Sequence, residues 1–290
     1  MFKKYNKNKN YLYMQNTIIC MVDNRKIYDL NTDVQLFKIF NINYNYALKN
    51  NYKFMFFEIG KCLSKDNKER HPAWGKVAVL HYITKEHPNT KILYIDSDAI
   101  FASFQENVDS IFLNDNNIFT FWEDAQRKNY PMIPISGVIG INNNDLNLKY
   151  IDTILSEWYD LKETRLWEQG VLQDTLFPKY RNFIYIIPSL GFDFHKESKC
   201  ENGKKNENSI WKHCRFKETN EGQSFYHHNI KDNHFIYHFL GGLKRENSTD
   251  LILTEIYNKY NISNTNILSK SSELVSIFND KVIGTLYTYL

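Results

Sequence analysis

The chain has 290 residues, 36 Lys and Arg against 33 Asp and Glu, and a net charge of +3; 16% of its residues are aromatic. That aromatic content excludes a disordered chain, and so small a charge gives no basis for a nucleic-acid partner. No run approaches the roughly 20 apolar residues of a membrane-spanning helix, and the length suits one α/β domain or two smaller ones.

Residues 1–15 are basic and lack an apolar stretch, so they are not a secretory signal and are expected to form a disordered lead-in. A catalytic domain is expected over 16–262 and a C-terminal extension over 263–290. Asn16–Asn24 reads as a first buried strand, rich in β-branched residues and closed by turn residues. Helical spacing follows around Leu36, Phe37, Phe40 and Tyr44. Lys53–Gly60, "KFMFFEIG", is a second continuous apolar run. "PAWGKVAVLHYITKEHP" predicts a helix with Pro72 near its start and Pro88 beyond its end.

Further strands are expected at "KILYI" before Asp96, at Asn116–Asp124 and at Pro134–Asp145. A helix is predicted from about Asp145 to Lys162, and a shorter one over "LWEQGVLQDTLFPKY", stopped by Pro178. "FIYIIPSLGF" is strand-like. Residues 195–234 read as an extended polar loop, "NHFIYHFLGG" as a returning strand and turn, and the tail from about Asn264 as weakly amphipathic. Strands that are apolar throughout and alternate with helices indicate an α/β fold, a mainly parallel central sheet with helices on both faces. Ligands of such sheets bind beyond the carboxyl ends of the strands.

Cys20, Cys62, Cys200 and Cys214 form no CxxC pair, which excludes zinc-ribbon and thioredoxin chemistry. Cys20 and Cys62 fall in apolar segments and read as buried thiols, and free thiols are expected throughout. The His227–His228 pair lacks the i, i+4 helical spacing of a zinc site.

The stretch "YIDSDAIF" ends a buried strand with two carboxylates one residue apart, Asp96 and Asp98. On an extended segment they point the same way, with Ser97 turned away. Hard oxygen ligands in that geometry suit Mg²⁺ or Mn²⁺, which complete their shells with substrate phosphates. A solvated acidic turn has the same tripeptide, so position after "ILYI" carries the argument.

The ordered series "HPAWGK", "HP" at 87–88, "YIDSDAIF", "ISGVIGINNND", "EQGVLQDTL" and "HFLGG" resembles the family 34 glycosyltransferases. The resemblance spans about Asn16 to Lys244. It implies the GT-A nucleotide-diphospho-sugar transferase fold and an enzyme that moves a sugar from a nucleotide-sugar, UDP-linked by preference, to a glycan or other hydroxyl acceptor with retention. It also implies Mn²⁺, with Mg²⁺ as the alternative, held by Asp96, Asp98 and His238. Donor contacts would come from Asp96, Ser97, Lys76, Ser136 and Gly137, with Gly241, Gly242 and Lys244 at the diphosphate. Glu168 and Gln169 would act at the reacting sugar, Glu168 standing where the family has Asp. Trp122, Glu123 and Asp124 are acceptor-side candidates at a strand end.

For several of these residues a plainer reading stays open: a surface lysine for Lys76, a packing histidine for His238, a core tryptophan for Trp122. Two further functions compete. A haloacid-dehalogenase-like phosphotransferase also uses Asp-x-Asp, but near the N-terminus and followed by a Gly-Thr-like pair. A non-catalytic nucleotide-sugar-binding protein would keep the fold and lose the site. The expected partners are a nucleotide-sugar and a glycan or glycoprotein. The expected place is the cytoplasm, or the Golgi lumen had an N-terminal anchor been removed.

Overall fold

The structure, a computed structural model, describes residues 17–27, 34–109, 117–123, 133–187, 211–215, 235–240, 246–262 and 271–289. Its first half follows the expected order: β1 (Thr17–Asp23), α1 (Val34–Lys49), β2 (Lys53–Cys62), α2 (Gly75–Glu86), β3 (Thr90–Ile95) and a short β4 (Ala99–Phe101). A single turn of tighter helix, Pro72–Trp74, leads into α2. Then come β5 (Phe119–Glu123), β6 (Pro134–Asn143), α3 (Leu148–Asp160), α4 (Trp167–Val171), α5 (Phe177–Tyr180) and β7 (Ile184–Ile187). The chain closes with β8 (Trp211–Arg215), β9 (Ile236–Leu240), α6 (Glu246–Tyr260), β10 (Ser271–Ile277) and β11 (Val282–Tyr289).

Eight strands form one sheet in the order β10-β11-β2-β1-β3-β6-β5-β7. β1 lies parallel between β2 and β3, and β5 is parallel to β7. β6 and β11 run against their neighbours. Six strands therefore point one way and two the other, a mainly parallel sheet. Each inner strand is apolar on both faces because both faces are covered. Ile19 and Met21 of β1 join one core with α1, α6 and β9, whereas Ile18, Cys20 and Val22 join the other with α2, α3 and α4. Each fully buried Ile or Phe contributes about 2 kcal/mol of apolar transfer free energy.

Three differences from the sequence reading stand out. Pro178 does not stop a helix: α4 passes through a π-helical turn, Leu172–Leu176, into α5, where the proline occupies the first turn and its missing N–H costs no hydrogen bond. Within the expected polar loop, 211–215 forms β8, which pairs with β9 in a second, three-stranded sheet, β4-β9-β8. The tail contributes a hairpin, β10–β11, whose second strand pairs with β2 and extends the main sheet. Cys20 and Cys62 are buried free thiols, as expected.

Candidate active site

Beyond the carboxyl ends of β1, β2 and β3 lies a cavity of about 920 Å³. Asp96, Ser97, Asp98, Lys76, Ser136, Glu168, Gln169 and His238 all line it. Residues as far apart in sequence as Lys76 and His238 thus meet where the sheet topology places a ligand.

β4 and β9 bring the histidine in. Ala99 pairs with His238 in their antiparallel register, and the Phe239 N–H donates to the Asp98 carbonyl at 2.7 Å. His238 Nε2 then sits 3.0 Å from Asp98 Oδ1 and 3.8 Å from Asp96 Oδ2. Ligand atoms of the three residues lie within 4.8 Å of one another, and two carboxylates with one imidazole form a donor set that can hold a divalent cation. The residues therefore fit the cation that the resemblance implied. Burial disfavours the charged imidazole, but Asp98 and Asp96 outweigh it and hold the His238 pKa above its usual value. Burial likewise works to raise the Asp98 pKa, and His238 pulls it below the usual carboxylate range.

Lys76 is no surface lysine. It is 4% exposed, its ammonium 2.8 Å from Asp96 Oδ1 and 3.1 Å from Glu168 Oε1. Burial alone would lower its pKa, and the two carboxylates reverse that and lift it above the ordinary lysine value. The Tyr94 hydroxyl donates to the same Oδ1. Asp96 thus commits one oxygen to Lys76 and Tyr94 and turns the other toward His238. Its own pKa is raised, by burial above all, with Asp98 adding to the rise against the pull of Lys76.

Ser136 donates to Glu168 Oε1 at 2.9 Å, and the Ser136 N–H donates to Gln169 Oε1 at 3.4 Å. The Trp158 indole N–H holds the Glu168 carbonyl at 2.9 Å, fixing the start of α4 under the cavity. Glu168 Oε2 is buried without a hydrogen-bond partner among the described residues.

One expectation is corrected. Trp122 is 1% exposed and outside the cavity lining; its ring lies nearly parallel to His238, 6.4 Å away, and backs that residue instead of meeting an acceptor. Gly137 makes room for His238: a Cβ there would lie 2.1 Å from His238 Cε1. For Glu123 only the backbone, at the end of β5, is described. Asp124, Gly241, Gly242, Lys244, Cys200, His227–His228 and the lead-in lie outside the described residues.

The cavity also contains residues that the motif reading missed. Arg25 grips Asp23 through two N–H groups, at 2.9 and 2.7 Å, and reaches the Ser97 hydroxyl at 3.4 Å. Asp23 ends β1 as Asp96 follows the end of β3, so the carboxyl-end rule applied to every strand would have found it. His71 and Trp167 stack in the cavity wall, ring centroids 3.9 Å apart. Trp167 has φ 52°, a conformation costing a bulky residue on the order of 1 kcal/mol or more.

A mainly parallel α/β sheet with a carboxylate–imidazole cluster at its strand ends defines the class: a GT-A glycosyltransferase. Residues 14–169 match the galactosyl transferase GMA12/MNN10 family, more than half of the chain, and the chain belongs to that family. It is thereby a glycosyltransferase, which sets aside the phosphotransferase reading; the Asp-x-Asp also follows the third strand, not the first. No curated protein matches the sequence. Among solved structures, a glycosyltransferase involved in glycosylation of the major capsid of PBCV-1 superposes with a TM-score of 0.50 at 14% identity, covering 83% of this chain and 98% of that one. The glycosyltransferase GlyE of Streptococcus pneumoniae TIGR4 superposes with a TM-score of 0.45 at 12% identity, over 87% of this chain and 66% of that one. Among the described residues no helix is long and apolar enough to cross a membrane.

Proposed function

We propose that this protein is a metal-dependent, retaining glycosyltransferase that moves a sugar from a nucleotide-sugar, UDP-linked in the first instance, to a glycan or glycoprotein hydroxyl. The observation that carries the reading is the convergence of Asp96, Asp98 and His238 within 4.8 Å at the strand ends, with the Lys76 ammonium beside them. Asp96, Asp98 and His238 would hold Mn²⁺ or Mg²⁺. That cation, when bound, supplies positive charge against the negative charge developing on the departing diphosphate.

The chain's own groups then divide the work. Lys76 offers a second cation on the donor side and is kept charged by Asp96 and Glu168. Arg25 and Asp23 offer a charge and an acceptor to the nucleotide end, with Ser97 between them and the metal ligands. Gln169 presents a polar oxygen to the face of the transferred sugar, where an oxocarbenium-like state needs stabilisation. Glu168, with Oε1 held by Ser136 and Lys76, orients Lys76 and the sugar hydroxyls. A double displacement through Glu168 is the second reading, favoured by the unpartnered Oε2.

The test is nucleotide diphosphate release from a panel of UDP- and GDP-sugars with Mn²⁺ and no acceptor. One donor should be hydrolysed slowly by the native protein, and Asp98→Ala should lose that activity at least about a hundredfold while keeping its circular dichroism. Undiminished turnover by Asp98→Ala would refute the metal assignment. A silent panel together with no Mn²⁺-dependent UDP binding by calorimetry would refute the donor reading.

A further inference from the structure

Eight non-glycine residues among those described have positive φ: five asparagines, Asp280, Phe278 and Trp167. Asn and Asp tolerate that conformation through their short polar side chains. Phe278 is held there by packing, its ring stacked on His81 at 4.5 Å and on Tyr159 at 4.3 Å. Trp167 has no such core to explain it. It is 44% exposed, its indole parallel to the His71 ring within 9°, and both residues line the cavity.

The neighbouring sequence is arranged to keep it so. The Trp167 N–H donates to the Thr164 carbonyl at 3.0 Å, and the Thr164 hydroxyl donates to the Trp167 carbonyl at 3.1 Å. Gly170 leaves space for that threonine, since a Cβ there would lie 2.0 Å from Thr164 Oγ1. His71 is itself fixed, its Nδ1 accepting the Ala73 N–H at 3.2 Å. An exposed indole locked in an unfavourable conformation over a second ring is a prepared contact surface, because burial does not explain it.

We propose that the His71–Trp167 stack is the platform for a pyranose ring of the acceptor glycan, packed against the indole through its C–H face. The proposal rests on the glycosyl-transfer reading above. Trp167 directly precedes Glu168 and Gln169, the residues assigned to the transferred sugar. Glu168 in turn meets Asp96 through the shared Lys76 ammonium, so the stack adjoins the residues that lead to the metal ligands. Asp23 and Arg25 take the nucleotide end, which leaves the aromatic wall for the acceptor. Pro72 and the half-exposed Leu166 extend it with apolar edges.

The experiment is saturation-transfer NMR with diamagnetic Mg²⁺ and UDP, using the methyl glycosides of glucose, galactose, mannose and xylose as probes. At least one glycoside should receive saturation at its ring C–H protons from the native protein. That signal should fall about five- to tenfold in Trp167→Gly and partly return in Trp167→Phe. Glycine suits φ 52°, so the variant removes the indole without straining the backbone. Equal glycoside saturation in native protein and Trp167→Gly overturns the platform, as does a panel with no saturated member. Loss of uracil saturation in Trp167→Gly gives the stack to the nucleobase and also overturns it. UDP bound without any glycoside signal sinks this proposal and leaves the donor reading standing. A Trp167-dependent glycoside signal with no UDP signal does the reverse.

Discussion

One ammonium answers two carboxylates at Lys76, and that arrangement has opposite consequences for stability and for metal binding. The side chain is buried beside Asp96 and Glu168, so Lys76→Met would leave two neighbouring carboxylates, Glu168 buried and Asp96 partly so, without their counter-charge. Breaking such a buried pair costs about 3 kcal/mol, which urea unfolding would read as a lower midpoint with unchanged slope. The same change frees Asp96 Oδ1 from a competing cation, so Mn²⁺ should bind roughly tenfold more tightly by calorimetry while donor turnover falls. Weaker Mn²⁺ binding would instead mean that Lys76 positions Asp96 and does not compete for it. The sequence left Lys76 undecided for a physical reason. Residues 75–81 of α2 are buried on all sides, and a helix without a solvated face has no apolar stripe against which a functional lysine stands out. Gly137 was legible as a close approach, but only the fold supplies the partner, His238, 101 positions later.

Three residues of β4 directly follow Asp96 and Asp98 and pair with the strand that carries His238, and a buried amide on α1 holds them. Asn43 Nδ2 donates to the Ala99 carbonyl at 2.8 Å, and its Oδ1 accepts the Phe101 N–H at 3.0 Å, with no exposed surface. Asn43→Ala would leave both backbone groups buried and unsatisfied, lowering stability by about 2–4 kcal/mol. Because β4 sets the register of His238 beside Asp98, Mn²⁺ affinity should fall in parallel. An unchanged affinity in a destabilised protein would show that pairing with β9 alone positions the site. Such devices escape a sequence reading: Asn43 sits among asparagines and its partners are 56 and 58 residues away. The long strands were legible because double-sided burial writes an unbroken apolar run. The β10–β11 hairpin was not, since its half-covered strands alternate and blend with weak helical spacing. The signal was in the turn, where Phe278, Asn279 and Asp280 all take positive φ and "ND" is turn chemistry.

Across the whole molecule, the hairpin also reaches the packing of α2 against α3, and there a pH dependence arises away from the cavity. His81 of α2 is 7% exposed; Asp152 and Ser156 face it from α3, Lys85 from its own helix, and the Phe278 ring stacks on it from the β10–β11 turn. Burial first, and then the Lys85 charge, hold its pKa below the ordinary value despite Asp152. A histidine whose folded pKa is depressed gives its full stability above the unfolded value, about 6.5, and loses it as pH falls toward the folded value, because the unfolded chain binds the proton more readily. Asp152, whose pKa burial would raise but Lys85 and His81 draw below the carboxylate range, acts in the same direction at lower pH. His87 adds to the loss, its pKa lowered by burial and by Lys53, whereas His238, with a raised pKa, stabilises on the acid side. Comparing the native protein with His81→Gln cancels the contributions of His87 and His238, since glutamine can still donate to Asp152 but does not titrate. From pH 7.5 to 5.5 the native protein should lose more stability in urea than His81→Gln does, the gap opening below about pH 6.5. Parallel curves would mean that His81 titrates alike in the folded and unfolded chains, and that the cover provided by Phe278 does not keep water from the imidazole.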